Sequence, residues 1–359
     1  MYKCYNLIKL ETGFKSKNRQ EASKGDEKMP SIKEVAALAN VSPATVSRVM
    51  NGTAKVDDEK RERVLKAIQE TGFVPNEAAR TLFKRSAKII GLIIPSIENP
   101  FFTQFSGAVE RTADAKGYKV VLFNTDDNVE KERNILQMLS AMNADGIILT
   151  TSSEGMDSDI ENCSIPVVVT DRLTEKMVAD AYVHCDHYQG GRLAAEHLIE
   201  NGCKSIVCLR GKQDISSARE RYLGYKDVCS EKSMKIQVID CDYSFEAGVK
   251  ATEEMLETYP DVDGIVACND MVAISAYKVL HQSGIKVPQQ IQLIGYDNIQ
   301  LTELMTPELT TIGQPIEEIG RKAVELVLHH KETDEKEYIL EPKLIIRETT
   351  KNKKNGGKR

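Results

Sequence analysis

The side chains of this 359-residue chain with the chemistry to hold a ligand cluster at the carboxyl ends of short apolar runs. Ile93-Ile94-Pro95 is followed by Ser96-Ile97-Glu98-Asn99-Pro100-Phe101-Phe102, and Val168-Val169-Thr170 by Asp171-Arg172. Cys208-Leu209-Arg210 leads through a loop to Arg219-Glu220-Arg221. Asp240-Cys241-Asp242-Tyr243, Cys268-Asn269-Asp270, Tyr296-Asp297-Asn298 and Gly313-Gln314-Pro315 close further runs. Amides, acids, guanidinium groups and aromatic rings together suit a sugar: rings cover its C–H faces, and planar polar groups donate to and accept from its hydroxyls. Asp171 and Arg172 can bridge adjacent hydroxyls with charge-assisted bonds. Each member also has a plainer reading. Phe101 and Phe102 read as core aromatics, Arg219 and Arg221 as a solvated helix face, and Asp171-Arg172 as a loop ion pair of little worth. Their convergence on one crevice favours binding. The chain has no nucleophile–base–orienter trio, no Gly-rich phosphate loop and no paired-His motif, so neither catalysis nor a metal or other cofactor is expected.

A second set lies near the amino terminus. Ile32, Val35, Ala36 and Ala39 recur at helical spacing, Asn40-Val41 breaks the helix, and Ser42-Pro43 restarts it as N-cap and first helical residue. In the restarted helix Val46 and Val49 face inward, leaving Ala44, Thr45, Ser47 and Arg48 outward. A helix with that outer face can enter a major groove, where an Arg takes guanine O6 and N7 bidentately. The plainer alternative is a small helical hairpin with a solvated Arg.

These residues need elements to hold them. Asn51-Gly52 ends the second helix, and a third is expected over Glu59–Thr71 with Val64, Ala67, Ile68 and Thr71 inward and Gly72 behind it. A short helix at 76–83 has no apolar face of its own and should form only when docked, a candidate order–disorder switch. From Lys88 strands and helices alternate in two tandem series, which predicts an α/β fold of two similar lobes with parallel sheets covered on both faces. Ligands of such sheets sit beyond the strand carboxyl ends. The expected domains are therefore a three-helix head at 29–75, a hinge helix and linker at 76–88, a two-lobed body at 89–349 and a basic, disordered tail at 350–359.

Composition bounds the rest. The net charge of −6 is split: residues 29–88 carry 11 Lys/Arg against 7 Asp/Glu, whereas 89–350 sum to −18. A basic module on an acidic body suits contact with a polyanion. Eight cysteines without C-x-x-C or metal-ligand spacing read as reduced, buried thiols of a cytoplasmic protein. No apolar run reaches membrane-spanning length. Residues 1–28 are basic and unpatterned; Met29 is the expected true start, with a disordered basic arm as the alternative.

Over about residues 29–349 the chain resembles the LacI/GalR family of bacterial transcription repressors, most specifically in Ile32–Asn51 and in Phe73-Val74-Pro75-Asn76-Glu77-Ala78-Ala79-Arg80-Thr81-Leu82. The resemblance implies a homodimer placing two helix-turn-helices in successive major grooves of a pseudopalindromic operator. It assigns DNA contacts to Ser42, Pro43, Ala44, Thr45, Ser47, Arg48 and Asn51, with Asn76, Ala79 and a minor-groove wedge at Leu82 in the hinge helix. The body is similar to periplasmic ribose-binding proteins. That likeness implies effector contacts at Asn99, Phe101, Phe102, Asp171, Arg172, Arg221, Asn269, Asp297 and Gln314, and at Tyr243 in place of a Phe. Ribose is the implied effector, acting as an inducer. A purine or a phosphoprotein corepressor is the alternative within the family. A sugar transport receptor and a sugar-metabolising enzyme are the rivals outside it.

Overall fold

The computed structural model describes residues 30–51, 56–73, 86–151, 155–174, 176–332 and 334–351. The chain divides after Arg80 into two compact units. In the first, α1 (Ile32–Leu38), α2 (Pro43–Asn51) and α3 (Asp58–Thr71) enclose Val35, Ala36, Ala39, Val46, Val64, Ala67 and Phe73. Ser31 and Glu34 form a reciprocal capping box on α1, at 3.3 and 2.8 Å. Asn40 makes the turn with φ 52°, a left-handed conformation that Asn tolerates better than most residues. The Ser42 hydroxyl then accepts the Thr45 N–H at 3.2 Å, capping α2 as its position predicts. α3 starts one residue earlier than expected, because the Asp57 side chain caps it by accepting from Lys60 N–H. Thr71 is half-buried, its hydroxyl donating to the Ala67 carbonyl at 2.7 Å. The expected hinge helix at 76–83 and residues 1–28 and 352–359 lie outside the described residues.

The second unit holds the two lobes. The first has β1 (Ile89–Ile94), α4 (Pro100–Ala115), β2 (Lys119–Asn124), α5 (Val129–Ala141), β3 (Gly146–Leu149), α6 (Asp157–Glu161), β4 (Val167–Thr170) and β5 (Ala181–Cys185). The chain then crosses through α7 (His187–Glu200) to β6 (Ile206–Arg210), α8 (Ser216–Glu231), β7 (Gln237–Asp240), α9 (Phe245–Thr258), β8 (Gly264–Ala267), α10 (Asp270–Gln282), β9 (Gln292–Asp297), α11 (Leu301–Leu304) and β10 (Thr310–Gly313). It crosses back with α12 (Ile316–His329), whose Ile319, Ala323, Val324 and Val327 pack with Ile90, Leu92 and Phe105 of the first lobe. β11 (Glu337–Leu340) extends the first sheet and β12 (Lys343–Ile345) the second, giving orders β11-β5-β4-β3-β1-β2 and β12-β10-β9-β8-β6-β7.

The two sheets thus share one topology, with the order reversing at β1/β3 and at β6/β8, where α/β sheets open a crevice beyond their carboxyl ends. The expected α/β class with two lobes is what the chain forms. Three strands were not anticipated. β5, β11 and β12 mix charged or polar residues into short apolar runs and owe their existence to pairing: β11 with β5, and β12 with β10. The expectation of wholly parallel sheets is corrected at β12, which runs antiparallel to β10.

Helices α7 and α8 touch backbone to backbone. A Cβ on Gly191 would lie 2.0 Å from the Arg221 carbonyl oxygen, and one on Gly224 would lie 2.1 Å from that of Tyr188. This approach fixes where Arg221 leaves its helix. Gly→Ala inside a helix ordinarily gains up to about 1 kcal/mol, but here the backbones must part. Gly191→Ala or Gly224→Ala is expected to lower stability by about 1–3 kcal/mol in urea unfolding. Gly107→Ala on α4, where a Cβ meets only the flexible end of Arg111, should be neutral or stabilising.

Candidate ligand cleft and nucleic-acid interface

Between the lobes of the second unit lies a cavity of about 370 Å³. The first lobe contributes Asn99, Phe101, Phe102, Asp127, Asp171 and Arg172 to its wall; the second contributes Ser217, Arg221, Tyr243, Phe245 and Asp297. Asn99 stands at the end of β1 because its side chain caps α4, accepting the Phe101 N–H at 3.1 Å. Phe101 and Phe102 meet edge to face, centroids 5.1 Å apart, and both belong to the first lobe's core as well as the wall. Phe101 and Phe102 are thus core aromatics, as one reading has them, and they also line the cavity.

Charge is buried here at cost. Arg221 is buried, and its Nη1–H donates to the Cys268 carbonyl at 2.8 Å, Nη2 lies 3.6 Å from Asp297 Oδ1, and Cζ stands 3.8 Å from the Tyr296 ring centroid. Burial disfavours its charge, yet Asp297 and Asp171 together hold the guanidinium protonated. Arg172, also buried, donates from Nη1 to Asp127 Oδ1 at 2.6 Å, with Nε 3.9 Å from Asp171 Oδ2.

The two buried carboxylates behave oppositely. Burial pushes Asp171 up, but His187, whose Nε2 stands 3.5 Å from Oδ1, and the charges of Arg221 and Arg172 outweigh it, and its carboxyl sits below the usual range. Asp297 is pushed up to about 7 by burial, despite Arg221 and the Gln314 Nε2–H that donates to its Oδ1 at 2.8 Å. Both residues hold left-handed backbone, φ 63° and 112°, a strain tolerated where a strand end must aim a side chain. Asp171 Oδ1, Tyr243 Oη and Gln314 Oε1 are buried without a hydrogen-bond partner.

Of the ten side chains expected to meet an effector, eight line the cavity: Asn99, Phe101, Phe102, Asp171, Arg172, Arg221, Tyr243 and Asp297. Asn269 and Gln314 stand behind the wall. Asn269 caps α10, accepting from Val272 N–H at 2.8 Å and donating to the Tyr243 carbonyl at 3.3 Å, while Gln314 supports Asp297. Asp127, Phe245 and His187 were not anticipated. Asp127 follows a strand end as the others do and was legible by the same rule. His187 opens a helix, where nothing in the sequence distinguishes it from a first-turn polar residue.

On the first unit, Ser42, Pro43, Ala44 and Arg48 are exposed, whereas Thr45 and Ser47 are half-buried. The Ser42 hydroxyl is also within 3.0 Å of Thr45 Oγ1. Val46 is fully buried and Val49 half-buried, so the inward stripe is as expected. The side chain of Asn51 and all of Asn76, Ala79 and Leu82 lie outside the described residues. Among the described residues no helix is long and apolar enough to cross a membrane. No cluster there could hold a metal, and the seven described cysteines are free.

Residues 31–76 match the bacterial regulatory proteins of the lacI family, and residues 87–352 match the periplasmic binding proteins and sugar binding domain of the LacI family. A ribose operon repressor of Halalkalibacterium halodurans is 41% identical over 330 residues, covering 91% of this chain and 99% of that protein. The lac repressor dimer bound to operator and the anti-inducer ONPF superposes with a TM-score of 0.82 at 27% identity, over 90% of this chain and 99% of that one. A LacI family transcriptional regulator from Enterococcus faecium with bound ribose gives 0.66 at 28% identity, over 73% and 98%. With a matching DNA-binding head and a matching sugar-binding body, the chain belongs to the LacI family of bacterial regulatory proteins.

Proposed function

We propose that this chain is a homodimeric repressor of ribose-utilisation genes, acting in the cytoplasm as a binding protein rather than an enzyme and released from its operator by ribose. The observation that carries the reading is the make-up of the cleft. Aromatic rings and hydrogen-bonding groups of both lobes face one space, and Glu98, Asp127, Asp171, Asp242, Glu246 and Asp297 outnumber Arg172 and Arg221. A neutral polyhydroxylated ligand suits that excess of acid, whereas a phosphorylated ligand is repelled. The ribose operon repressor and the ribose-bound regulator among the relatives point to the same sugar.

Because the contacts come from two lobes, ribose binds most tightly when they close on it, and it biases closure by that difference in affinity. In the proposed mechanism closure is relayed through the 76–83 segment, whose helix inserts Leu82 beside Ala79 into the minor groove and kinks the duplex. Melting of that marginal helix uncouples the two heads, for a coupling of about 1–3 kcal/mol. In each head Thr45 and Arg48 supply the side-chain hydrogen bonds to base edges, since Pro43 and Ala44 cannot make bidentate ones. Ser42, Ser47, Asn51 and Asn76 set position on the backbone.

Calorimetric titration with ribose, other pentoses, purines and sugar phosphates tests the effector directly. Ribose is expected to bind and the phosphates to fail; a purine or phosphate preferred over ribose would replace this reading with the family's corepressor mode. Asp171→Ala is expected to abolish the response to ribose while leaving operator affinity intact, read by DNA gel shift with and without sugar. An unaltered response removes Asp171 from the site. Arg48→Ala should cost about 1–3 kcal/mol of operator binding and relax base preference at one position per half-site. Unchanged sequence preference in a binding-site selection would refute its role.

A further inference from the structure

His187 belongs to neither wall of the cleft, yet it touches both lobes. It is the first residue of α7, at the crossover from β5, and is 1% exposed. On one side Nε2 lies 3.2 Å from the Asp171 carbonyl oxygen and 3.5 Å from Asp171 Oδ1, in the first lobe. On the other, Nδ1 lies 3.3 Å from Arg221 Nε and 3.3 Å from Tyr296 Oη, in the second. Arg221 Nε–H has only a proton to offer, so Nδ1 must be an acceptor. The ring is then neutral with its proton on Nε2, the tautomer able to donate to Asp171.

We infer that His187 is a positioning residue for the effector site, holding Asp171 of one lobe and Arg221 of the other in mutual register through a neutral imidazole. This rests on the proposal that the cleft binds ribose, and it adds an acid sensitivity. Groups facing the ring are Asp171 after β4, His184 on β5, Arg221 on α8 and Tyr296 on β9. Burial and the Arg221 charge hold its pKa below the usual histidine range, with Asp171 opposing them. The proton taken up on acidification goes to Nδ1, where it faces a guanidinium N–H and turns an acceptor into a donor. Arg221 then loses its partner, and ribose affinity falls as pH drops below the ordinary histidine range. Asp171, held below the usual carboxylate range, remains ionised meanwhile.

The test measures ribose affinity by calorimetry from about pH 8 to about pH 5.5 on the full chain and on His187→Ala and His187→Gln, with the ring's tautomer and titration followed by NMR without sugar. At the upper pH, His187→Ala should weaken ribose binding about 10- to 100-fold, as expected for a buried donor left unpaired. His187→Gln, whose amide never titrates, should recover part of that loss. It should also show a smaller acid decline than the native chain; titration of Asp297 is common to both. Equal affinity in His187→Ala, equal acid decline in His187→Gln, or a ring carrying its proton on Nδ1 in the sugar-free protein would each overturn the inference. A native chain that ignores ribose while its ring titrates as described would overturn the effector proposal, and the positioning role with it.

Discussion

A guanidinium taken out of water must be matched on every side, and the second unit is arranged around meeting that demand at Arg221. Its charge is opposed by Asp297 and Asp171, its N–H groups reach a carbonyl and a histidine nitrogen, and its flat face lies on the Tyr296 ring. Those partners come from four segments of chain in two lobes. The backbone contact of α7 with α8, possible only because Gly191 and Gly224 lack side chains, aligns the helix that carries it. Removing a carboxylate leaves the buried charge less compensated, the costly direction for such networks.

A site of this kind is built at the expense of local ease. Asp171 and Asp297 hold left-handed backbone, and Asp297 carries a carboxyl whose affinity for its proton is raised to about 7. Three polar atoms around the cleft are buried without partners. The dry, layered cores on either side supply the stability that lets these features persist, with Ile90, Leu92 and Ile94 in one lobe and Val207, Leu209 and Ile265 in the other. Local discomfort at the cleft is what a ligand can relieve, and a ligand relieves it most when both lobes reach it.

Much of the site was legible because strand carboxyl ends are where open α/β sheets put ligands. Asn99, Asp171-Arg172, Tyr243 and Asp297 follow apolar runs, and the rule finds them without coordinates. Asn269 and Gln314 obey the same rule but serve as a helix cap and a support for Asp297, a distinction that turns on side-chain direction rather than position in the chain. His187 escaped because its importance lies in three long-range contacts and in no local pattern. β11 and β12 escaped for a similar reason: an edge strand with charged residues is stabilised by its neighbour, not by its own periodicity.

The amino-acid sequence by itself determined the local decisions. It set the capping box at Ser31-Glu34, the helix restart at Ser42-Pro43, the alternation of strand and helix from Lys88 onward, and the residue types at strand ends, because each follows from propensity, periodicity or short-range hydrogen bonding. Tertiary structure alone decided the rest: that α12 returns to pack in the first lobe, that one cleft collects the strand ends of both sheets, and that a buried imidazole joins Asp171 to Arg221. The physical reason is range. Desolvation and charge pairing depend on which distant segments exclude water together, and that is settled only when the chain has closed on itself.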